Sequence, residues 1–178
     1  MSVFESYAPG VQVNGESIMA VIEGMGAFQE RAYTILSENH IHKPAPGGWY
    51  DLQSYLNAFR TISDELGTAT LRVIGKKIPE TAVLPPDLNT IEKALTMMDQ
   101  AYHMNYQGGE IGHYAFQQTG DKSGVMICSS PYPCAYDQGI INGFMNRLKK
   151  GTEWPAIRHV PGSCRMDGAA ECRYNVSW

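Results

Sequence analysis

The hydrophobic period of this chain changes once, at about residue 108, and that change limits the folds open to it. Before it, apolar residues recur at helical spacing. In "WYDLQSYLNAFRTISDEL", Leu52, Tyr55, Leu56, Phe59, Ile62 and Leu66 fall on one face of a helix, with Gly67 as a stop. Ile18, Ile22, Met25, Phe28 and Leu36 repeat the pattern behind a capping Asn14, although Gly24 and Gly26 interrupt it. "TATLRVIG" reads as a short helix and "KIPETAVLPPD" as a proline-rich loop. "LNTIEKALTMMDQAYHM" is helical again, with Ile91, Leu95, Met98 and Tyr102 on a stripe.

After the change the pattern is that of strands. "GEIGHYAFQQ" and "GVMIC" flank the turn "TGDKS". "AYDQGIINGFMNRLKK" is a helix, "WPAIRHVPGSC" a strand weakened by prolines. In "CRYNVSW" Cys172, Tyr174, Val176 and Trp178 alternate with polar residues, so one face is buried and the other wet. The expected architecture is therefore α+β, sandwich-like. Helices of residues 1–107 pack on a four-stranded, mostly antiparallel sheet of residues 108–178, in the order strand–strand–helix–strand–strand, all within one domain, 1–178. The helix between the second and third strands makes those two parallel through a right-handed crossover.

Composition removes several classes of function. The net charge is −4 over 178 residues and no basic run stands out, so a nucleic-acid partner is not expected. No stretch approaches the roughly 18 apolar residues of a membrane span. "MSVFESYAPG" lacks a basic residue ahead of an apolar segment, so no secretory leader is expected and a cytoplasmic setting is. No phosphate-binding loop, dinucleotide fingerprint or nucleophile elbow occurs. Nothing in the sequence assembles into nucleophile, base and oxyanion donors.

The topology has a consequence for the four cysteines, Cys128, Cys134, Cys164 and Cys172. If the strands ending at Cys128 and Cys164 are parallel, both end at one rim of the sheet. Cys172 opens the returning strand at that rim, and Cys134 lies just beyond Cys128 at a helix start. Four thiolates gathered in a reducing compartment suit a structural, tetrahedral zinc ion with no open position for water. Unlinked buried thiols, or a disulfide or redox pair, are the other readings of the same residues. The gaps of five and seven residues differ from the usual two.

At these residues the C-terminal half resembles a known group. "PCAYDQGIINGF" followed by "CRMDGAAEC" is similar to the 4-vinyl-reductase-type domain. That domain belongs to a superfamily that also includes the heme-nitric-oxide/oxygen binding domains and some vesicle-tethering subunits. The resemblance is specific over about residues 108–178. It implies that Cys134, Cys164 and Cys172 match three zinc-binding cysteines of the bacterial aromatic sensors. The acidic fourth ligand of those sensors is replaced here by Cys128, with Glu110 as a weaker substitute. It further implies a small-molecule sensor that dimerises through its helices, stands alone without an ATPase or DNA-binding segment, and meets a signalling partner.

The ligand is expected to be small and apolar or aromatic. Phe59, Met98, Tyr102, His103, His113, Tyr114 and Phe116 are the candidate pocket residues, each equally readable as core. His103 stands roughly where the heme-binding relatives carry their iron-ligating histidine. A heme-based gas sensor is accordingly the alternative function, although the tyrosine–serine–arginine motif that holds the heme propionates is not evident. A thiol-dependent redox enzyme is a further alternative. His40 and His42, in a proline-rich loop, read as exposed.

Overall fold

The computed structural model describes residues 2–178. A short strand β1 (Gln12–Asn14) leads into helix α1 (Gly15–Gly24). Asn14 caps it as expected, its side-chain oxygen accepting the Ser17 N–H at 3.0 Å. The interruption at Gly26, with φ of +52°, separates α1 from α2 (Gln29–Glu38). Asp51 ends strand β2 (Trp49–Asp51) and caps α3 (Leu52–Leu66) by accepting the Ser54 N–H at 2.8 Å. Gly67, at φ of +81°, stops α3.

Helix α4 (Thr68–Thr81) runs further than "TATLRVIG", through Pro79 and into the segment read as a loop. Its buried face, Leu71, Ile74, Gly75 and Ile78, runs up to Pro79, which is itself buried, and that packing outweighs the lost N–H. The next helical segment divides at Met97 into α5 (Ile91–Thr96) and α6 (Met98–His103). Strand β3 (Tyr106–Gln107) then pairs with β1, which also pairs with β2, forming a small antiparallel sheet in the order β2-β1-β3.

The main sheet contains β4 (His113–Gly120), β5 (Ser123–Ser129), β6 (Ala156–His159) and β7 (Cys172–Ser177). Its order is β4-β5-β7-β6, and every pair is antiparallel. β5 and β6 run in the same direction, as the crossover requires. They are not neighbours, however, because β7 enters between them. Helix α7 (Cys134–Leu148) makes the crossover and lies against α4.

Glycines set the closeness of the α4–α7 crossing. A Cβ on Gly75 would run into the Tyr136 carbonyl oxygen, and one on Gly139 into the Arg72 carbonyl oxygen. The two backbones therefore touch, which brings Tyr136 and Ile140 under the helical half. Tyr55, Phe59, Tyr132 and Tyr136 form the aromatic centre of the core. The Phe59 ring lies edge-on, 4.8, 5.3 and 4.7 Å from the other three. Among the described residues no helix is long and apolar enough to cross a membrane.

Candidate functional site

The sulfur cluster is assembled by three local devices. Tyr132 and Pro133 bring the chain into α7 with Cys134 as its first residue. Cys172 opens β7 in register with Cys128 of β5, which is itself opposite Tyr114 of β4. Cys164 precedes a single 3-10 turn, Arg165–Asp167, closed by the Asp167 and Ala169 N–H groups on the Cys164 carbonyl.

The result joins three of the four cysteines. Cys134 Sγ lies 3.3 Å from Cys164 Sγ and 3.1 Å from Cys172 Sγ. The fourth corner is His159, at the end of β6. Its ring nitrogen and the three sulfurs lie within 4.8 Å of one another. Cys128 is not in this group. It is held in the row Tyr114–Cys128–Cys172 across the sheet, one strand away from the rim, and burial pushes its thiol well above the usual range. Glu110 stays on the surface beside His113. The sequence signal for His159 was its alternation with Ile157, but the prolines around β6 obscured that strand.

The thiols are not equivalent. The hydrogen bond shared with Cys134 favours a thiolate on Cys172, and the backbone N–H and Nε of Arg165 add two more donors at 3.3 and 3.4 Å. Cys134 is driven the opposite way, chiefly by its bond to Cys172 and then by burial. The arrangement favours one proton shared around a Cys172 thiolate.

Arg165 links this cluster to the interior. Its guanidinium donates to the Ser130 carbonyl and hydroxyl, the Tyr132 carbonyl and the Asp137 carboxylate, as well as to Cys172. Asp137 accepts from the Tyr114 hydroxyl at 2.6 Å and the Ser130 hydroxyl at 3.2 Å. Burial pushes the Asp137 carboxyl up to about 6, against the opposing pull of Arg165. The charges of this pair are wholly shielded from water. Sequence reasoning missed both residues, because Arg165 reads as a loop residue and Asp137 as a helix N-terminal acid.

Beyond Tyr114 lies a cavity of about 30 Å³ between α4, α6, α7 and β4, walled by Met98, Tyr102, Tyr114, Tyr136, Ile140 and Phe144. That is room for about two water-sized molecules. Its lining is almost wholly apolar, because the Tyr102 hydroxyl turns away to donate to the Ile111 carbonyl at 2.7 Å. Asn105, also unanticipated, ties the floor together. Its amide donates to the Val83 and Ala101 carbonyls and accepts from the Val83 N–H and the Asn14 amide.

Of the candidate pocket residues, Met98, Tyr102 and Tyr114 line this cavity. Phe59 belongs to the aromatic core. Phe116 packs towards Trp178, with ring centroids 6.3 Å apart, on the outer part of the sheet. His103 and His113 are on the surface, their side chains 42% and 60% exposed, and their rings are stacked at 5.1 Å. The His103 expectation of a ring beside the apolar pocket is thus corrected: α6 buries Tyr102 and turns His103 outward. His40 and His42 are exposed, as expected.

No family model and no curated protein matches the chain. Solved structures do. An H-NOX protein from S. oneidensis in the Fe(II)NO state is 16% identical, covering 91% of this chain and 97% of its own, with a TM-score of 0.65. An oxygen-binding H-NOX domain related to soluble guanylate cyclases, in its oxygen complex, is 17% identical over 92% of this chain and 91% of its own, at 0.65. A third structure, from work on heme redox potential and porphyrin distortion, is 16% identical over 93% and 94%, at 0.65. These neighbours are gas- and heme-binding proteins, and they overturn structural zinc as the cofactor expected from the sequence. Over nine-tenths of its length the chain is similar to the heme-nitric-oxide/oxygen binding domains, and it carries their α+β fold.

Proposed function

We propose that the chain is a sensor domain for a gas-sized or small apolar molecule, built on the H-NOX scaffold. The observation that carries this reading is the small apolar cavity at the junction of helices and sheet. Four elements converge on it, and one wall residue, Tyr114, is bonded to the Asp137–Arg165 pair. Occupancy of the cavity repositions Tyr114 and α6. The buried pair carries that shift to the sulfur cluster at the sheet rim, 28 residues further along the chain from Asp137 to Arg165.

The expected partners are the ligand, a second copy of the chain and a downstream protein. The sequence resemblance to 4-vinyl-reductase-type sensors supports the same class of ligand.

Heme is the second reading, and the solved neighbours support it above zinc. The residues as placed do not fit the group. A cofactor pocket spans about 300 Å³ or more, whereas this cavity is about 30 Å³. His103 lies on the outer face of α6, exposed and away from the cavity.

The test of the cavity reading is methyl NMR under xenon pressure, an apolar probe of suitable size. The Met98 and Ile140 methyl resonances are expected to shift together and saturate, and Ala101→Leu, which fills the cavity, is expected to abolish the response. Shifts absent from these methyls, or unchanged in Ala101→Leu, would reject the site.

A further inference from the structure

Outside the cavity and the sulfur cluster, a second group of ligating side chains lies on the surface where α6 meets β4. Asp99 and His103 are one turn apart on α6, His113 opens β4, and Glu110 lies in the connection between them. The ligating atoms of Asp99, His103 and His113 lie within 4.8 Å of one another. We infer that this group is a binding site for a divalent first-row transition ion, held by His103, His113 and Asp99, with Glu110 on the other edge of the His113 ring.

The spacing supports coordination better than it supports hydrogen bonding. His113 Nδ1 is 3.4 Å from Asp99 Oδ1, longer than a normal N–H···O bond. A tetrahedral set with metal–nitrogen or metal–oxygen bonds of about 2.1 Å has ligand–ligand edges of about 3.4 Å. The His113–Asp99 gap matches such an edge, and a ring nitrogen of His103 lies within 4.8 Å of both ligating atoms.

The supporting contacts are also those a metal site uses. His103 Nδ1 donates to the Asp99 carbonyl at 2.9 Å, and a carbonyl can only accept. That fixes the proton on Nδ1 and leaves the lone pair on Nε2. Asp99 Oδ1 accepts the Tyr114 N–H at 2.8 Å, and Glu110 Oε1 accepts the Gly112 N–H at 2.6 Å. Each carboxylate is thus anchored by backbone and keeps a second oxygen free. Imidazole with carboxylate favours ions of intermediate softness.

The site is also well placed to matter. Asp99 and His103 occupy the outer face of α6, whose inner face gives Met98, Ala101 and Tyr102 to the cavity. An ion held there fastens α6 to β4 across Tyr102 and Tyr114.

Cobalt(II) is the probe, because its absorption distinguishes nitrogen and oxygen ligands from thiolates. Titration of the full chain under reducing conditions is expected to show one ion with weak bands of the nitrogen–oxygen kind. The affinity for that ion is expected to fall at least tenfold in His103→Ala and in His113→Ala, and to be unchanged in the double variant His40→Ala/His42→Ala. Both substituted rings are exposed, and thermal unfolding checks that the variants fold. In the unsubstituted chain, paramagnetic broadening is expected at the ring signals of His103 and His113 before those of His40 and His42. Cobalt bands that are solely thiolate charge transfer would overturn the site. So would nitrogen–oxygen bands that survive both alanine substitutions, or broadening that begins at His40 and His42.

Discussion

Every N–H of the Arg165 guanidinium has an acceptor inside the protein, and the sharing is unequal in kind: one carboxylate, one thiol or thiolate, two carbonyls and a hydroxyl. A charge so placed is costly to strip of its partner. Arg165→Met leaves Asp137 buried without its counter-ion and is expected to cost about 3–5 kcal/mol in urea denaturation. The double variant Arg165→Met/Asp137→Leu is expected to regain much of that loss, since an apolar pair of similar bulk removes the stranded charge. A double variant no more stable than the single one would show that the pair is not what holds the region. At this scale the sequence was only partly informative. Cys134, Cys164 and Cys172 were legible because rim geometry follows from strand order. Asp137 and Asn105 were not, because a lone polar side chain carries no periodic signal, and His159 was hidden by the prolines that obscured β6. Cys128 misled because a strand-end cysteine looks the same whether it points to the rim or into the row beneath it.

Among the elements, the α4–α7 crossing is the joint with least slack. Glycines at 75, 139 and 143 meet the backbone of the opposing helix or its immediate neighbours, so an added methyl has nowhere to go. Gly139→Ala is expected to destabilise by about 1–3 kcal/mol despite its better helix propensity. Because Ile140 and Tyr136 flank it, the same change is expected to shift the Met98 and Ile140 methyl resonances at the cavity. Calorimetric unfolding and methyl spectra of one variant check both. A variant of unchanged stability would mean that the helices separate freely. Strongly periodic elements such as α3, and the alternating β7, were readable from the chain alone. The two- and three-residue strands β1, β2 and β3 were not, since no period can be counted over so few residues. The extension of α4 through Pro79 was hidden for the opposite reason. A strong local breaker was overruled by a buried face that only tertiary structure supplies.

For the whole molecule, the fold class followed from one change of hydrophobic period, and the solved H-NOX structures share it at 16–17% identity. The cofactor did not follow. Pocket volume and the facing of a histidine depend on helix rotation, and a shift of one position along α6 exchanges Tyr102 for His103. In its closed form the molecule is expected to take up hemin without a Soret band that depends on His103. A band lost in His103→Ala would show instead that α6 swings open to admit the porphyrin.

β7, the last strand along the chain, is an inner member of the main sheet, paired on both sides. Until Cys172–Ser177 enters between them, β5 and β6 keep bare backbone edges, so closing the sheet and gathering the sulfurs are one event, and any state in which β7 is detached exposes two open edges to other chains.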